Sequence, residues 1–452
     1  MKKQDKLTVT ADDLTHEGMG VAHVEGMAVF VKGLLPEETA EIDIIKVAKN
    51  YAVGRIMELL KPSPQRTEAC CPAFGRCGGC TLMHLSYPAQ LQMKAKRVVD
   101  CLTRIGGVEA DIFEGIVGME NPYGYRNKAP YPAAMIEGEV RLGFYAARSH
   151  RLVPVERCPV QMPVVQQAYQ VVCECLRKYP VAAYDEAAGE GLLRHVMIRA
   201  SQSTGEVMIV YIIRGRALPG EKGIAEFLKE RVKGLAGVLV NQNIRSGNVI
   251  LGDGWRTLWG RDHIEDELCG LKFRVSPASF FQVNPVQAQR LYEKAVEYGE
   301  LTKEDTIFDG YCGTGTLTLV LARQAKRAVG VEVVPEAVAD ARINAANNGL
   351  ADQTEFWLGK AEEVLPAKVA EGFKPDVVVF DPPRKGCHPD FLAAMAKAEP
   401  KRMVYVSCDP ATLARDIALL RELGYAARRA KAFDLFPHSG HVECVVQLSA
   451  DG

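Results

Sequence analysis

The sequence predicts an α/β protein in three parts: a small β-barrel over residues 1–64, a mixed central domain over 65–270, and a doubly wound parallel sheet over 271–452. Three observations carry that prediction. Up to about Ile56, short β-rich runs are broken by glycine turns; from Leu271 onward strands alternate with helices; between these regions the pattern is mixed. The length of 452 residues agrees with about three domains at roughly 150 residues each. With 48% apolar and 25% charged residues the chain can bury a large core. Lys plus Arg (55) nearly cancels Asp plus Glu (56), which excludes a generally basic, nucleic-acid-coating protein. Any polyanion contact must come from local patches.

In the first part, runs at 7–10, 28–31 and 40–47 alternate with turns at Gly18, Gly20, Gly26 and Gly33. That is the pattern of a barrel of the oligonucleotide-binding kind. Lys46, Lys49, Arg55, Lys61 and Arg66 gather near its end, and Lys61-Pro62-Ser63-Pro64 marks a boundary. A generic β-domain with a solvated basic rim is the alternative. In the second part, 87–105 has helical periodicity with Lys94, Lys96, Arg97 and Arg104 on polar positions, and strands are predicted at 139–145, 193–199, 207–213 and 237–243. Arg126, Lys128, Arg141, Arg148, Arg151 and Arg157 make this region locally basic, as an RNA-facing patch or as solvated surface.

No apolar run approaches the 18 or so residues of a membrane span, and Met1-Lys2-Lys3-Gln4-Asp5-Lys6 leads into no signal-type stretch, so a cytoplasmic protein with no membrane partner is expected. Thirteen cysteines, four of them between Cys70 and Cys80, argue against a secreted disulfide framework. Cys71-x5-Cys77-x2-Cys80, followed at a distance by Cys158-Pro159, supplies four thiolates suited to an iron–sulfur cluster or a zinc site. Spacing alone does not choose the metal. Cys70 is an extra thiol, able to substitute or to remain free; Cys71 fits the spacing better.

In the third part, strands are predicted at 306–308, 328–331, 354–357, 377–380 and 403–406. The first ends in Asp309-Gly310-Tyr311-Cys312-Gly313-Thr314-Gly315, and its glycines let the backbone approach a ligand. The second ends at Glu332, where a carboxylate accepts hydrogen bonds from a ribose diol. The spacing D-x-x-x-G-x-G opens with an acid and lacks the pyrophosphate cradle G-x-G-x-x-G. It suits a cofactor with an amino-acid tail and no phosphate, namely S-adenosylmethionine.

Two further strand ends carry chemistry. One leads into Asp381-Pro382-Pro383-Arg384, the other into Ser407-Cys408-Asp409-Pro410. Asp409 reads as a helix N-cap with Pro410 at the first helical position, so the helix start is expected to favour a Cys408 thiolate. Cys408 is a candidate nucleophile, against the commoner fate of a buried inert cysteine. Glu443, in His441-Val442-Glu443 before an apolar strand, is either a base at a pocket edge or a strand-capping carboxylate. Asn284 and Pro285 open another helix, and Gln282 before them can present its amide to a ligand or satisfy a turn.

Ser279-Phe280-Phe281-Gln282-Val283-Asn284, residues 309–315, Asp381-Pro382-Pro383-Arg384, Ser407-Cys408-Asp409-Pro410 and His441-Val442-Glu443, in that order, resemble the RNA uracil-C5-methyltransferases across essentially the whole chain. In particular they resemble the bacterial 23S ribosomal RNA (uracil-5)-methyltransferases. The resemblance implies a Rossmann-like methyltransferase domain, an N-terminal TRAM domain, and a [4Fe-4S] cluster on Cys71, Cys77, Cys80 and Cys158. It implies Cys408 as nucleophile toward uracil C6, Glu443 as the base that removes the C5 proton, and Gln282, Tyr311, Glu332 and Asp381 as S-adenosylmethionine-binding residues. The implied partner is 23S ribosomal RNA, with the target base extruded from its stack and no obligate protein partner. Methylation of a transfer RNA uracil is the alternative, which the TRAM domain and cysteine cluster disfavour. A noncatalytic iron–sulfur RNA-binding redox sensor is the alternative from another class. Lys385-Gly386-Cys387 is reminiscent of Gram-positive members, some of which act at two ribosomal sites.

Overall fold

The structure is a computed structural model that describes residues 1–450. The N-terminal part is a six-stranded sheet in the order Lys6–Thr10, Thr39–Val47, Tyr51–Lys61, Met27–Lys32, Met19–Val24, Asp13–Leu14. Bulges interrupt the pairing of Thr39–Val47 with Tyr51–Lys61 and bend it around a core of Val9, Ala22, Val29, Val31, Leu34, Ile42 and Ile44. The last strand runs to Lys61, past the limit near Ile56 expected from the sequence, and stops where Pro62 and Pro64 remove ladder donors.

The central sheet has seven strands, in the order Leu152–Pro154, Glu139–Tyr145, Lys128–Ile136, Leu193–Ala200, Val207–Ile213, Leu235–Gln242, Gly254–Gly260. Leu193–Ala200 and Val207–Ile213 are buried along their whole length, because each face meets something different. One face packs on the helices Pro163–Lys178 and Glu221–Arg231. Met197, Met208, Val210 and Ile212 on the other face join the core of the C-terminal part, against Leu291, Tyr292 and Ala295 of helix Pro285–Gly299.

The C-terminal sheet has eight strands, ordered Thr354–Leu358, Arg327–Glu332, Thr306–Gly310, Val377–Phe380, Arg402–Ser407, Glu443–Ala450, Tyr425–Phe433, Phe113–Val117. The first five run parallel, and Glu443–Ala450 is antiparallel to both its neighbours. From Thr306–Gly310 the chain passes outward to Arg327–Glu332 on one side and later returns to Val377–Phe380 on the other. The resulting crevice at the carboxyl ends is where such sheets take ligands.

Two features depart from the sequence reading. The central domain is not contiguous: Phe113–Val117 pairs in parallel with Tyr425–Phe433 as the eighth strand, and helix Tyr87–Arg104 buries Val98 and Leu102 in the C-terminal core. Lys94 does not lie on a polar face. It is fully buried, with Nζ donating to Asp434 Oδ1 at 2.5 Å and to the Phe436 carbonyl at 3.1 Å. Local periodicity cannot reveal a counter-ion 340 residues away. No helix among the described residues is long and apolar enough to cross a membrane.

Candidate active site

The floor of the crevice is the turn after strand Thr306–Gly310. Tyr311 sits at φ 71°, a left-handed conformation that few side chains other than Gly adopt, and Gly313 follows at φ 55°. The turn lies close to the next strand because Gly330 has no side chain: a Cβ there would stand 2.7 Å from Cys312 Sγ. Glu332 pins the arrangement. Its Oε2 accepts from the Gly313 amide at 3.1 Å, and its Oε1 accepts from the Val333 and Val334 amides at 2.8 and 2.9 Å. Asp309 is buried beneath the turn, where Thr318 Oγ1 donates to its Oδ2 at 2.5 Å.

One cavity of about 480 Å³ is lined by Gln282, Tyr311, Glu332 and Asp381 together with Cys408 and Glu443. The six residues come from six separate stretches of sequence, and the sheet order brings them to one place. Asp309, Arg384, His441, Phe280 and Tyr292 complete the lining. Burial pushes the Asp381 carboxyl up to about 7 and Asp309 likewise to about 7. Glu443 is raised well above the usual carboxylate range, first by burial and then by Asp381, with Arg384 opposing. Four carboxylates therefore face a single guanidinium, and that guanidinium is close to His441 Nε2, at 3.4 Å. Such a cavity favours a ligand that brings positive charge.

The helix start at Asp409 forms as its sequence requires: Asp409 Oδ1 accepts from the Ala411 and Thr412 amides at 2.9 and 3.1 Å. The expected consequence for Cys408 does not follow. Its thiol is pushed up to about 12, first by burial and then by Glu443 and Asp381, with Arg384 opposing. The capping carboxylate takes the free amides itself, so they do not serve the sulfur.

Sequence reasoning missed what holds the wall carrying His441. The segment 434–441 is tied to helix Tyr87–Arg104 by Lys94, by Gln90 Oε1 accepting from the His438 amide at 2.9 Å, and by Arg97 Nη1 donating to the Gly440 carbonyl at 3.1 Å. Local pattern gives no signal for it, since Lys94 reads there as a polar-face charge. Arg384 was visible inside its motif but had no stated role.

A second cavity, of about 360 Å³, is lined by Cys71, Cys77, Cys80 and Cys158, with Arg126, and it shares Arg384, Phe436 and His441 with the first. Cys70 lies outside it, 3.9 Å from the Met83 sulfur. Burial, then Cys71 and Cys77, push the Cys158 thiol up to about 11; burial, then Cys158, Cys77 and Cys71, raise Cys80. Among the described residues no three His, Cys, Asp or Glu side chains converge closely enough to hold one metal ion. Four sulfurs on one zinc would stand roughly 3.8 Å apart, from Zn–S bonds of about 2.3 Å.

A family model described as tRNA (uracil-5-)-methyltransferase matches residues 217–451, and a TRAM domain model matches residues 3–57. The chain belongs to the RNA uracil-5-methyltransferase family. Members of this family are enzymes, and so is this protein. RNA methyltransferases of Bacillus cereus and Halalkalibacterium halodurans, both called uncharacterized, are 45% and 44% identical to it, each covering 99% of this chain and 97% and 98% of their own lengths. Among solved structures, the Pyrococcus abyssi tRNA (uracil-54, C5)-methyltransferase in complex with S-adenosyl-L-homocysteine has a TM-score of 0.77 at 27% identity. That likeness covers 98% of this chain and 100% of the other. The methyltransferase fold with an N-terminal TRAM domain is thereby established for this uracil-5-methyltransferase family member.

Proposed function

We propose that the protein methylates C5 of uracil in 23S ribosomal RNA with S-adenosylmethionine, through a covalent bond between Cys408 and uracil C6. The observation that carries this reading is the convergence of Cys408 and Glu443 with Gln282, Tyr311, Glu332 and Asp381 on one crevice. The residues fit the cofactor. Glu332 stands at the second strand end for a ribose diol, Gln282 and Tyr311 border the turn, and the excess of carboxylates suits a cationic ligand. When bound there, S-adenosylmethionine supplies an electrophilic methyl group and a positive charge that favours the ionised forms of Cys408 and Glu443.

Uracil C5 is a weak nucleophile until something adds to C6. Cys408, its proton passed to water, forms the Sγ–C6 bond, and the C5–C6 π electrons shift toward O4 as an enolate whose C5 is nucleophilic. Once C5 carries its methyl group, Glu443 takes the C5 proton, the C5–C6 double bond re-forms and the Sγ–C6 bond breaks. Arg384, which opposes both raised pKa values, steadies the two anions. The target base must leave its stack to reach Cys408.

Cys71, Cys77, Cys80 and Cys158 would hold a [4Fe-4S] cluster, which supplies a structural anchor beside the catalytic cavity, since methylation needs no electron transfer. The fit rests on the donor set: four cysteine thiols line one cavity. All thirteen cysteines are free, in keeping with a reducing cytoplasm.

A transfer RNA substrate is the second reading, favoured by the Pyrococcus abyssi enzyme. Because that likeness extends over 98% of this chain, the TRAM domain does not separate the two substrates. Unmodified 23S ribosomal RNA and transfer RNA, each tritiated at uracil C5, decide between them. Tritium release from ribosomal RNA alone is expected; release only from transfer RNA installs the second reading, and release from neither removes both.

A further inference from the structure

Strand Lys128–Ile136 pairs with Leu193–Ala200 so that Lys128 stands directly opposite Arg199. Directly opposed residues of an antiparallel pair share a face, and like charges placed so are destabilising. Arg126 lies next on the same face, its Nε donating to the Lys128 carbonyl at 3.1 Å. Among the described residues none of these three cations has a carboxylate at ion-pair distance. Asp266, the acid whose field reaches Arg199, is occupied by Ser201, Gln202 and Ser203. Arg199 is wholly buried. Its Nη1 donates to the Ser276 and Ser279 carbonyls, both at 2.8 Å, and its buried Nη2 has no partner.

The trio lies beside the elements that line the catalytic cavity. Arg199 holds the loop that continues into Phe280 and Gln282 at the rim of the catalytic cavity, and Asn127 Nδ2 donates to the Gln282 carbonyl at 3.1 Å. Phe280 is 66% exposed, an aromatic face at that rim. Arg126 lines the neighbouring thiol cavity beside Arg384 and His441, which belong to both cavities. A partly buried, unneutralised set of cations is costly unless an anion joins it.

Resting on the RNA reading above, we propose that Lys128 and Arg126, backed by the buried charge of Arg199, seat a backbone phosphate of the RNA strand next to the extruded uridine. A phosphodiester brings a negative charge, and its oxygens accept from an ammonium and a guanidinium together. Burial, then Arg199 and Arg126, hold the Lys128 ammonium down at about 7, a strain that an anion relieves. The cofactor carboxylate has the same chemistry as a phosphate oxygen and is the competing source.

The test measures RNA affinity of the full-length protein between about 50 and 300 mM KCl, with S-adenosylhomocysteine present to prevent turnover, for wild type, Lys128→Gln, Lys128→Arg and Arg126→Gln. Lys128→Gln should raise the Kd for unmodified ribosomal or transfer RNA about tenfold at low salt. It should also flatten the plot of log Kd against log salt by about 0.7, the value for one phosphate on a single strand. Lys128→Arg should restore both, and S-adenosylhomocysteine affinity should not move. An unchanged slope in a Lys128→Gln protein that still binds RNA overturns the phosphate seat, and so does a selective loss of S-adenosylhomocysteine affinity. If Lys128→Gln does not fold, the slope of Arg126→Gln decides in the same way. Wild-type protein that binds neither RNA removes the RNA reading itself, a result distinct from an unaltered slope.

Discussion

The catalytic cavity and the thiol cavity share a wall of Arg384, Phe436 and His441, yet they are built from different chemistry. The first gathers carboxylates from the ends of parallel strands, on a turn held rigid by backbone hydrogen bonds to Glu332. The second gathers neutral thiols from a glycine-rich loop and from Cys158, more than 70 residues later in the chain. Burial raises the pKa of Asp309, Asp381 and Glu443 in the first and of Cys77, Cys80 and Cys158 in the second. On the reading proposed above, one cavity would take a ligand that arrives and departs with each turnover, the other a ligand that stays and becomes part of the fold.

Removing the nucleophile breaks the comparison most sharply. Cys408→Ala should lower turnover by roughly 10⁴-fold or more, read as tritium release, while leaving the thiol cavity and its metal content untouched. Glu443→Gln should slow turnover by roughly 10²–10⁴-fold in a different manner. Bond formation to C6 and methyl transfer proceed, proton removal does not, and a protein–RNA adduct at Cys408 accumulates. A denaturing gel that shows only free protein would rule out Glu443 as the base.

On the other side of the shared wall, Cys158→Ser should strip an anaerobically purified protein of its brown colour and of about four irons per chain, whereas Cys70→Ser should retain both. Stoichiometric zinc in the wild type would overturn the cluster. The smallest effect is thermodynamic. Burial puts Asp381 at about 7, above its unfolded value near 3.9, so the folded chain binds the extra proton between pH 4 and 7 and stability falls as pH rises through that window. Asp381→Asn should therefore stabilise the free protein by ~2 kcal/mol at pH 8 and by almost nothing at pH 4, measured by denaturant unfolding, while weakening cofactor binding.

Much of this was legible in the sequence where function depends on local pattern. The strand–turn–helix at Asp309 and the N-caps Asn284 and Asp409 are each written within about a dozen residues, and the structure builds each element there. The unread features belong to long-range packing. Lys94 looks like a solvated helix charge until Asp434 is placed beside it, and nothing near Phe113–Val117 announces that it pairs with Tyr425–Phe433. The surroundings of the Cys408 thiol are unread for a related reason. The helix start was correctly located, but the amides it offers go to Asp409, and the carboxylates that burden the sulfur come from strands distant in sequence.

The ion pair between Lys94 and Asp434 also sets a schedule for the chain's maturation. Its two halves are translated 340 residues apart, so during synthesis the helix Tyr87–Arg104 exists for many seconds with a buried-site ammonium that has no counter-ion. The N-terminal barrel, whose strand pairs all lie within Lys6–Lys61, can form early on its own contacts. The wall with His441 cannot, because it closes only when Asp434 and the Gly440 carbonyl reach Lys94 and Arg97. Such distant contacts fold slowly, and a chain truncated before residue 434 is expected to hold a formed barrel beside an open, incompetent catalytic crevice.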